Sequence, residues 1–210
     1  MQTSKASDPK SFWEDRYRSA TVEEVSWYEP VPHLSLALLE MAEAEPSDSV
    51  TDIGGGASFL AENLTSRGFT DVTVLDASTE ALRVARERWK GSDSVNWIAS
   101  DLLQWKPERT WRYWHDRAVF HFLTDSNERE AYRRLLRESL EIGGVVTLST
   151  FAEDGPTTCS GLAVARYNTE QLMTEMGPGF DQIASGRYVH HTPSGVEQPL
   201  SWVVLRRIHE

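Results

Sequence analysis

Asp52-Ile53-Gly54-Gly55-Gly56-Ala57-Ser58 places a carboxylate at the end of a short apolar run, with three glycines directly after it. Glycines let the backbone approach a ligand closely, and a helix that follows such a turn offers unpaired N–H groups at its start. A pyrophosphate would suit those N–H groups, but a carboxylate at Asp52 would repel it. A ligand whose charged end is an amine would meet no such repulsion. Three glycines can also serve as a plain strand-to-helix connection, so their chemistry depends on the surroundings.

Those surroundings repeat the pattern. Val72-Thr73-Val74-Leu75 is a β-branched run of the kind that buried parallel strands use, and it ends on Asp76 before Ala77-Ser78 opens a helical pattern. An acid about twenty residues beyond a glycine turn stands where ribose hydroxyls are met in this kind of unit. A third run, Val95-Asn96-Trp97-Ile98, leads through Ala99-Ser100 to Asp101 and Leu102. One Asp at a strand end is an ordinary turn or cap residue. Three at the same edge point to a binding site.

On these residues the sequence resembles the class I S-adenosylmethionine-dependent methyltransferases, over most of its length. The resemblance implies S-adenosylmethionine as cofactor, whose charged end carries an amine and which has no phosphate. It implies that Asp52, Gly54, Gly55 and Gly56 hold the methionine part, that Asp76 and Ala77 lie at the ribose, and that Asp101 and Leu102 lie at the adenine. Ser58 stands where many members have a further glycine; a small hydroxyl residue there can still begin the helix and donate a hydrogen bond.

The chemistry belongs beyond the carboxyl ends of the parallel strands, where open α/β sheets bind ligands. The fourth strand end reads Trp114-His115-Asp116-Arg117-Ala118-Val119-Phe120-His121 and lacks the Asn/Asp-Pro-Pro-aromatic signature of many nucleobase and glutamine methyltransferases. Asp116, His115 and His121 are the candidates for orienting a nucleophile or removing its proton, and His115 is also a candidate cofactor contact. Each has a structural alternative, a backbone cap for the histidines and a pair with Arg117 for Asp116. Alignment of a nucleophile with the S–CH₃ bond supplies much of the acceleration, so a base is needed for an amine but not for a thiolate.

Phe12-Trp13 to Tyr17 and Trp27-Tyr28 form an aromatic N-terminal segment. Aromatic faces suit a sulfonium cation, at about 0.5 to 2 kcal/mol per contact. Similar methyltransferases fold such a segment over the cofactor, so residues 1–45 are expected to form a helical lid, with Trp27 closing the methionine end. Trp89, Trp97, Trp105, Trp111 and Trp202 are assigned to packing. Cys159 with His190 and His191 does not have metal-ligand spacing, so no metal is expected.

These residues need a scaffold that brings successive strand ends together. The pattern alternates helix and strand: helices over Pro9 to Tyr17 and Pro32 to Ala44, a first strand over Asp48 to Ile53, and crossover helices over Ser58 to Arg67 and Ser78 to Trp89. Tyr113 to Val119 is the fourth strand, Ser126 to Glu141 a helix, and Val145 to Thr150 the fifth strand behind Gly143-Gly144. Phe151 to Tyr167 reads as a long loop and Thr169 to Met176 as a helix capped by Asn168 and Gln171. Two last strands, Phe180 to His190 and Leu200 to Ile208, are joined only by a turn and must pair antiparallel. The expected fold is α/β: a Rossmann-like, doubly wound, seven-stranded and mostly parallel sheet ending in an antiparallel hairpin, in one domain over residues 1–210.

The 210 residues carry a formal net charge of -11, which opposes binding to nucleic acid phosphates. No apolar stretch has the length of a membrane span, and residues 1–10 are polar without a signal-peptide core. A single cysteine excludes an internal disulfide. A cytoplasmic enzyme with neither a nucleic acid nor a membrane partner is expected. The overall pattern looks most like the small protein-lysine-methyltransferase-like group, whose members act on a lysine of one folded protein. The alternatives are a thiol, selenol or metalloid methyltransferase and a non-catalytic S-adenosylmethionine-binding protein; a dinucleotide-dependent oxidoreductase is disfavoured by Asp52 and the terminal hairpin.

Overall fold

The computed structural model describes residues 9–19 and 21–209; most of the N-terminal stretch read above as polar and lacking a signal core lies outside them. Helix α1 (Pro9–Ser19) and helix α2 (His33–Met41) precede strand β1 (Ser49–Ile53). Then come α3 (Leu60–Ser66), β2 (Asp71–Asp76), α4 (Thr79–Arg88), β3 (Val95–Ala99), β4 (Trp111–Arg117) and α5 (Ser126–Ser139). The chain continues through β5 (Leu140–Phe151), the short β6 (Thr158–Cys159) and β7 (Leu162–Ala163), α6 (Thr169–Met176), β8 (Phe180–His191) and β9 (Glu197–Arg207).

Seven strands form one sheet in the order β3-β2-β1-β4-β5-β9-β8, while β6 and β7 pair only with each other. Strands β1 to β5 run parallel, and β9 pairs antiparallel with both β5 and β8. The sheet is therefore the expected doubly wound one with a terminal hairpin. Alternation along the strands feeds two apolar layers. On one face Val50, Val72, Tyr113 and Val145 pack with Leu38, Leu60 and Leu64 from α2 and α3. On the other, Ile53, Trp114, Val146 and Leu148 pack with Tyr132 and Leu136 of α5 and with Leu172 and Met176 of α6.

Helix α6 begins as read, with Asn168 accepting from the Gln171 backbone and Gln171 reciprocating to Asn168 N–H. Two readings change. Strand β5 starts at Leu140, ahead of the two glycines, and its register to β4 jumps from Trp111↔Leu140 to Tyr113↔Val145. Gly143, at φ 79°, absorbs that irregularity within the strand. The segment from Phe151 to Tyr167 contains the β6–β7 hairpin, because Ser160 (φ 52°) and Gly161 (φ 83°) form a two-residue turn of positive φ, which matches strand twist. Among the described residues no helix is long and apolar enough to cross a membrane.

Candidate active site

A cavity of about 340 Å³ opens at the carboxyl edge of the parallel strands, under α1 and the segment that follows it. Asp52, Gly54, Gly55, Ser58, Asp76, Ala77, Asp101, Leu102, His115 and Trp27 all line it. Asp52 on β1 lies in register with His115 on β4, and its Oδ1 accepts a hydrogen bond from His115 Nδ1 at 2.7 Å. Both side chains are buried.

The glycine turn is built so that this carboxylate can sit beneath it. A Cβ on Gly55 would stand 2.3 Å from Asp52 Oδ2 and 2.8 Å from Val74 Cγ1, so only glycine fits. Gly54 and Gly56 have φ of 62° and 47°, the left-handed region that favours glycine. Gly56 does not line the cavity, but a Cβ there would meet the Tyr17 hydroxyl at 2.8 Å and Asp76 Oδ2 at 2.9 Å. Its missing side chain lets those two groups approach. Beyond the turn, Arg88 of α4 donates to the carbonyls of Ala57 and Ser58 at 2.8 and 2.9 Å, fixing the loop from behind. Ser58 stands before α3, not inside it, and its hydroxyl accepts from Leu60 N–H.

Asp76 ends β2, with Oδ1 accepting from Ser78 N–H at 2.8 Å. Burial pushes its carboxyl up to about 7, and the nearby charges of Asp52 and Glu14 act in the same direction, against the Ser78 hydrogen bond. Asp101 follows β3 and accepts from Leu103 N–H at 2.8 Å, with Ser100, Leu102 and Leu103 also on the wall.

The N-terminal elements cover this edge. Glu14 of α1 is buried and accepts from Thr79 N–H at 2.7 Å, from the Thr79 hydroxyl, and from Glu80 N–H at 3.2 Å. Helix α1 is thereby fastened to the start of α4, whose first N–H groups need acceptors. It brings Trp13 and Tyr17 to the cavity, where Trp13 packs edge-on against Trp27 and Phe122 with centroids 5.9 and 5.3 Å apart. The next segment is held by Arg117 of β4, which donates to Glu29 Oε2 at 2.5 Å and to the Trp27 carbonyl at 2.7 Å. Glu29 Oε1 also lies 3.0 Å from His190 Nδ1, and His190 Nε2 lies 2.7 Å from the Ser26 carbonyl.

The far wall of the cavity is mostly apolar: Phe122, Phe151, Cys159, Leu162, Ala163 and Leu200, with Gln198 and His190 beside them. Burial pushes the Cys159 thiol up to about 11. Ala118, at φ 63°, turns the chain out of β4 at the cavity edge, a conformation that strains a residue with a side chain.

Two sequence-derived candidates are corrected. Asp116 does not reach the cavity, because β4 alternates and sends His115 and Arg117 to it while Asp116 points to the opposite face. There Asp116 accepts from Val119 N–H, Phe120 N–H and the Tyr132 hydroxyl, and burial pushes its carboxyl up to about 6. His121 is also off the cavity wall, fully buried, and packed against Phe122 and Phe151. Neither ring nitrogen has a hydrogen-bond partner among the described residues, and burial holds the ring down to about 3. Arg117, Glu29 and His190 were not singled out from the sequence as a group. Period-two counting from His115 would have found Arg117; the other two come from segments far apart in the chain.

Residues 50–144, from β1 to the start of β5, match the family model of a methyltransferase domain. That stretch holds the glycine turn and all three acidic strand ends, Asp52, Asp76 and Asp101. No curated protein sequence matches it. Among solved structures, this chain is similar to the N-methyltransferase NodS of Bradyrhizobium japonicum WM9 in complex with S-adenosyl-L-homocysteine, with a TM-score of 0.74 and 16% identity over 96% of this chain and 100% of that one. It is similar to the 1,6-didemethyltoxoflavin-N1-methyltransferase of Burkholderia thailandensis, with a TM-score of 0.71 and 18% identity over 95% of this chain and 87% of that one. A structure from work on the conversion of a disulfide bond into a thioacetal group during echinomycin biosynthesis gives a TM-score of 0.75 and 17% identity over 96% of this chain and 92% of that one. At these identities the likeness describes the fold.

Proposed function

We propose that this methyltransferase transfers the methyl group of S-adenosylmethionine to a small, largely apolar molecule. The observation that carries the reading is the cavity itself: one continuous space joins the Asp52, Asp76 and Asp101 edge to an apolar wall, beneath α1 and the Trp27 segment. A lysine on a folded protein would have to pass this aromatic cover and leave its ammonium against Arg117. Similar structures with NodS and the toxoflavin enzyme are of proteins named for N-methylation, and the echinomycin one concerns sulfur chemistry. The toxoflavin enzyme's structure holds a small molecule, 1,6-didemethyltoxoflavin.

In this reading the glycine turn and Asp52 hold the methionine end, with His115 keeping the Asp52 carboxylate oriented. Asp76 accepts from the ribose hydroxyls, and Asp101 with Leu102 borders the adenine. Trp27, Trp13 and Tyr17 close over the sulfonium, where aromatic faces contribute about 0.5 to 2 kcal/mol each. Residues 9–45 act as the lid. When bound, the cofactor supplies a methyl group on a good leaving group. The chain's residues align the nucleophile with it and exclude water, which is most of what this transfer requires.

The reading is tested by supplying donor labelled in the methyl group to the purified protein with either cell-extract proteins or a small-molecule fraction. Label in small molecules supports it. A labelled protein band at comparable yield overturns it in favour of a protein lysine acceptor.

A further inference from the structure

Arg117 and His190 both line the cavity, and both use the same carboxylate, Glu29. Glu29 Oε2 takes Arg117 Nη1 and Oε1 takes His190 Nδ1. Glu29 itself does not line the cavity. The second His190 nitrogen meets the Ser26 carbonyl. A carbonyl oxygen and a carboxylate oxygen only accept, so this arrangement is complete only when both ring nitrogens of His190 carry protons. One buried anion is then shared by two cations, and an uncompensated buried charge is costly unless a partner arrives.

Much of the remaining wall is apolar, apart from the three acidic strand ends and Glu128. Phe122, Phe151, Leu162, Ala163 and Leu200 are apolar. Cys159, with its thiol pushed up to about 11, stays neutral near pH 7, and the charge of Arg16 also reaches it. Glu128 also lines the cavity, from the first turn of α5. Arg117 spends two N–H groups on Glu29 and Trp27, which leaves others of its five for a ligand. His190 has no free nitrogen and contributes charge alone.

We infer that the methyl acceptor is a small apolar anion whose negative charge is met by Arg117, with His190 adding to the field. This rests on the small-acceptor reading above and extends it to a chemical class. The charge sits either on the nucleophile, as in a thiolate, or on a neighbouring carboxylate. For a thiolate, a sulfur lone pair forms the new C–S bond as the bond from the methyl carbon to the sulfonium breaks. S-adenosylhomocysteine leaves, and there is no proton to remove.

The test is calorimetric titration of the protein saturated with S-adenosylhomocysteine, at neutral pH, using benzoate, benzamide and benzylamine as an anionic, neutral and cationic series on one ring. Benzoate is expected to bind about tenfold tighter than benzamide, with benzylamine weakest. Arg117→Gln removes the preference, whereas Glu29→Gln, which deletes the shared counter-charge, strengthens benzoate binding. A cluster that only fastens the Trp27 segment would weaken all three ligands in both variants. Thiophenol locates the charge: its methylation puts the anion on the nucleophile, and benzoate binding without thiophenol methylation puts it on a substituent. Equal binding of benzoate and benzamide, preference for benzylamine, or no binding of the series at millimolar concentration overturns the inference. The extract-labelling experiment fails separately, by a labelled protein band, if the small-acceptor reading is wrong.

Discussion

Asp52 and His115 stand opposite each other on neighbouring parallel strands and share a 2.7 Å hydrogen bond at the wall of the cavity. The pair leaves Asp52 Oδ2 beneath Gly55, where a Cβ would come within 2.3 Å. The proposed task of this carboxylate is to favour an ammonium at the turn. Asp52→Asn keeps the shape and removes the charge, so affinity for S-adenosylmethionine should fall about tenfold or more, which corresponds to about 1.4 kcal/mol or more. Calorimetry checks it. Unchanged affinity would reduce Asp52 to a structural partner of His115.

Asp76 gives a pH dependence with a defined sign. Its carboxyl rises from 3.8 to about 7 in the folded protein, chiefly through burial. The folded state therefore holds this proton more tightly than the unfolded chain, so the contribution to stability is full below about pH 4 and is lost as pH rises towards 7. Melting temperatures of the ligand-free protein should show this loss, and Asp76→Asn should flatten it. A ribose that donates hydrogen bonds prefers the ionised carboxylate, so cofactor affinity should rise over the same range. A wild-type melting curve that Asp76→Asn leaves unaltered in pH dependence would remove Asp76 as the titrating group.

How much of this was readable without coordinates depends on the kind of signal. The three acidic strand ends and the glycine turn were local patterns, and all of Asp52, Asp76 and Asp101 reach the cavity. The terminal hairpin followed from the short connection between two strand patterns. At β4 the residue types were noticed but not the pleat: His115 faces the cavity, Asp116 faces α5, and Arg117 faces the cavity again. The Glu29–Arg117–His190 cluster joins three segments separated by up to 161 positions, and no spacing rule along one chain announces such a meeting.

That difference at β4 makes a prediction. Asp116 accepts three hydrogen bonds in a buried setting, from Val119, Phe120 and Tyr132. Asp116→Ala should cost about 1 to 3 kcal/mol of stability by leaving those donors unpaired. Tyr132→Phe should cost less, since it leaves one donor unpaired, Trp114 Nε1, which gives its hydrogen bond to the Tyr132 hydroxyl at 2.9 Å, and leaves Asp116 two of its three bonds. In both variants the folded fraction should keep near wild-type kcat. A loss of kcat of a hundredfold in a protein whose melting curve is unchanged would restore Asp116 to the chemistry.

The glycine turn predicts a contrast between neighbouring positions. Gly55→Ala drives a methyl into Asp52 and Val74 and should weaken cofactor binding together with stability, the overpacking costing about 1 to 3 kcal/mol. At Gly68, a Cβ would meet only Pro46, at 3.7 Å, so the alanine there suffers from its φ of 92° and from nothing at the site. Gly68→Ala should therefore lower the melting temperature without changing cofactor affinity measured on the folded protein. Equal effects of the two on affinity would mean that the close fit over Asp52 is unimportant.

Glu14 is the clearest place to separate the lid from the sheet. Its carboxylate caps α4 by accepting from Thr79 and Glu80, while Ser78 accepts from Ala81 N–H on the same turn. Through it, α1 carries Trp13 and Tyr17 to the cavity, so the cap fixes the cover as well as the helix. Losing a cap costs about 1 kcal/mol, close to a fivefold change in an equilibrium constant. Glu14→Ala should raise the dissociation constant for S-adenosylmethionine by about that factor and expose residues 9–31 to protease. The sheet, whose two apolar layers contain none of these residues as buried members, should melt at nearly its former temperature. Protease cutting that speeds up with cofactor affinity unchanged would show that α1 covers the cavity without helping to bind its contents.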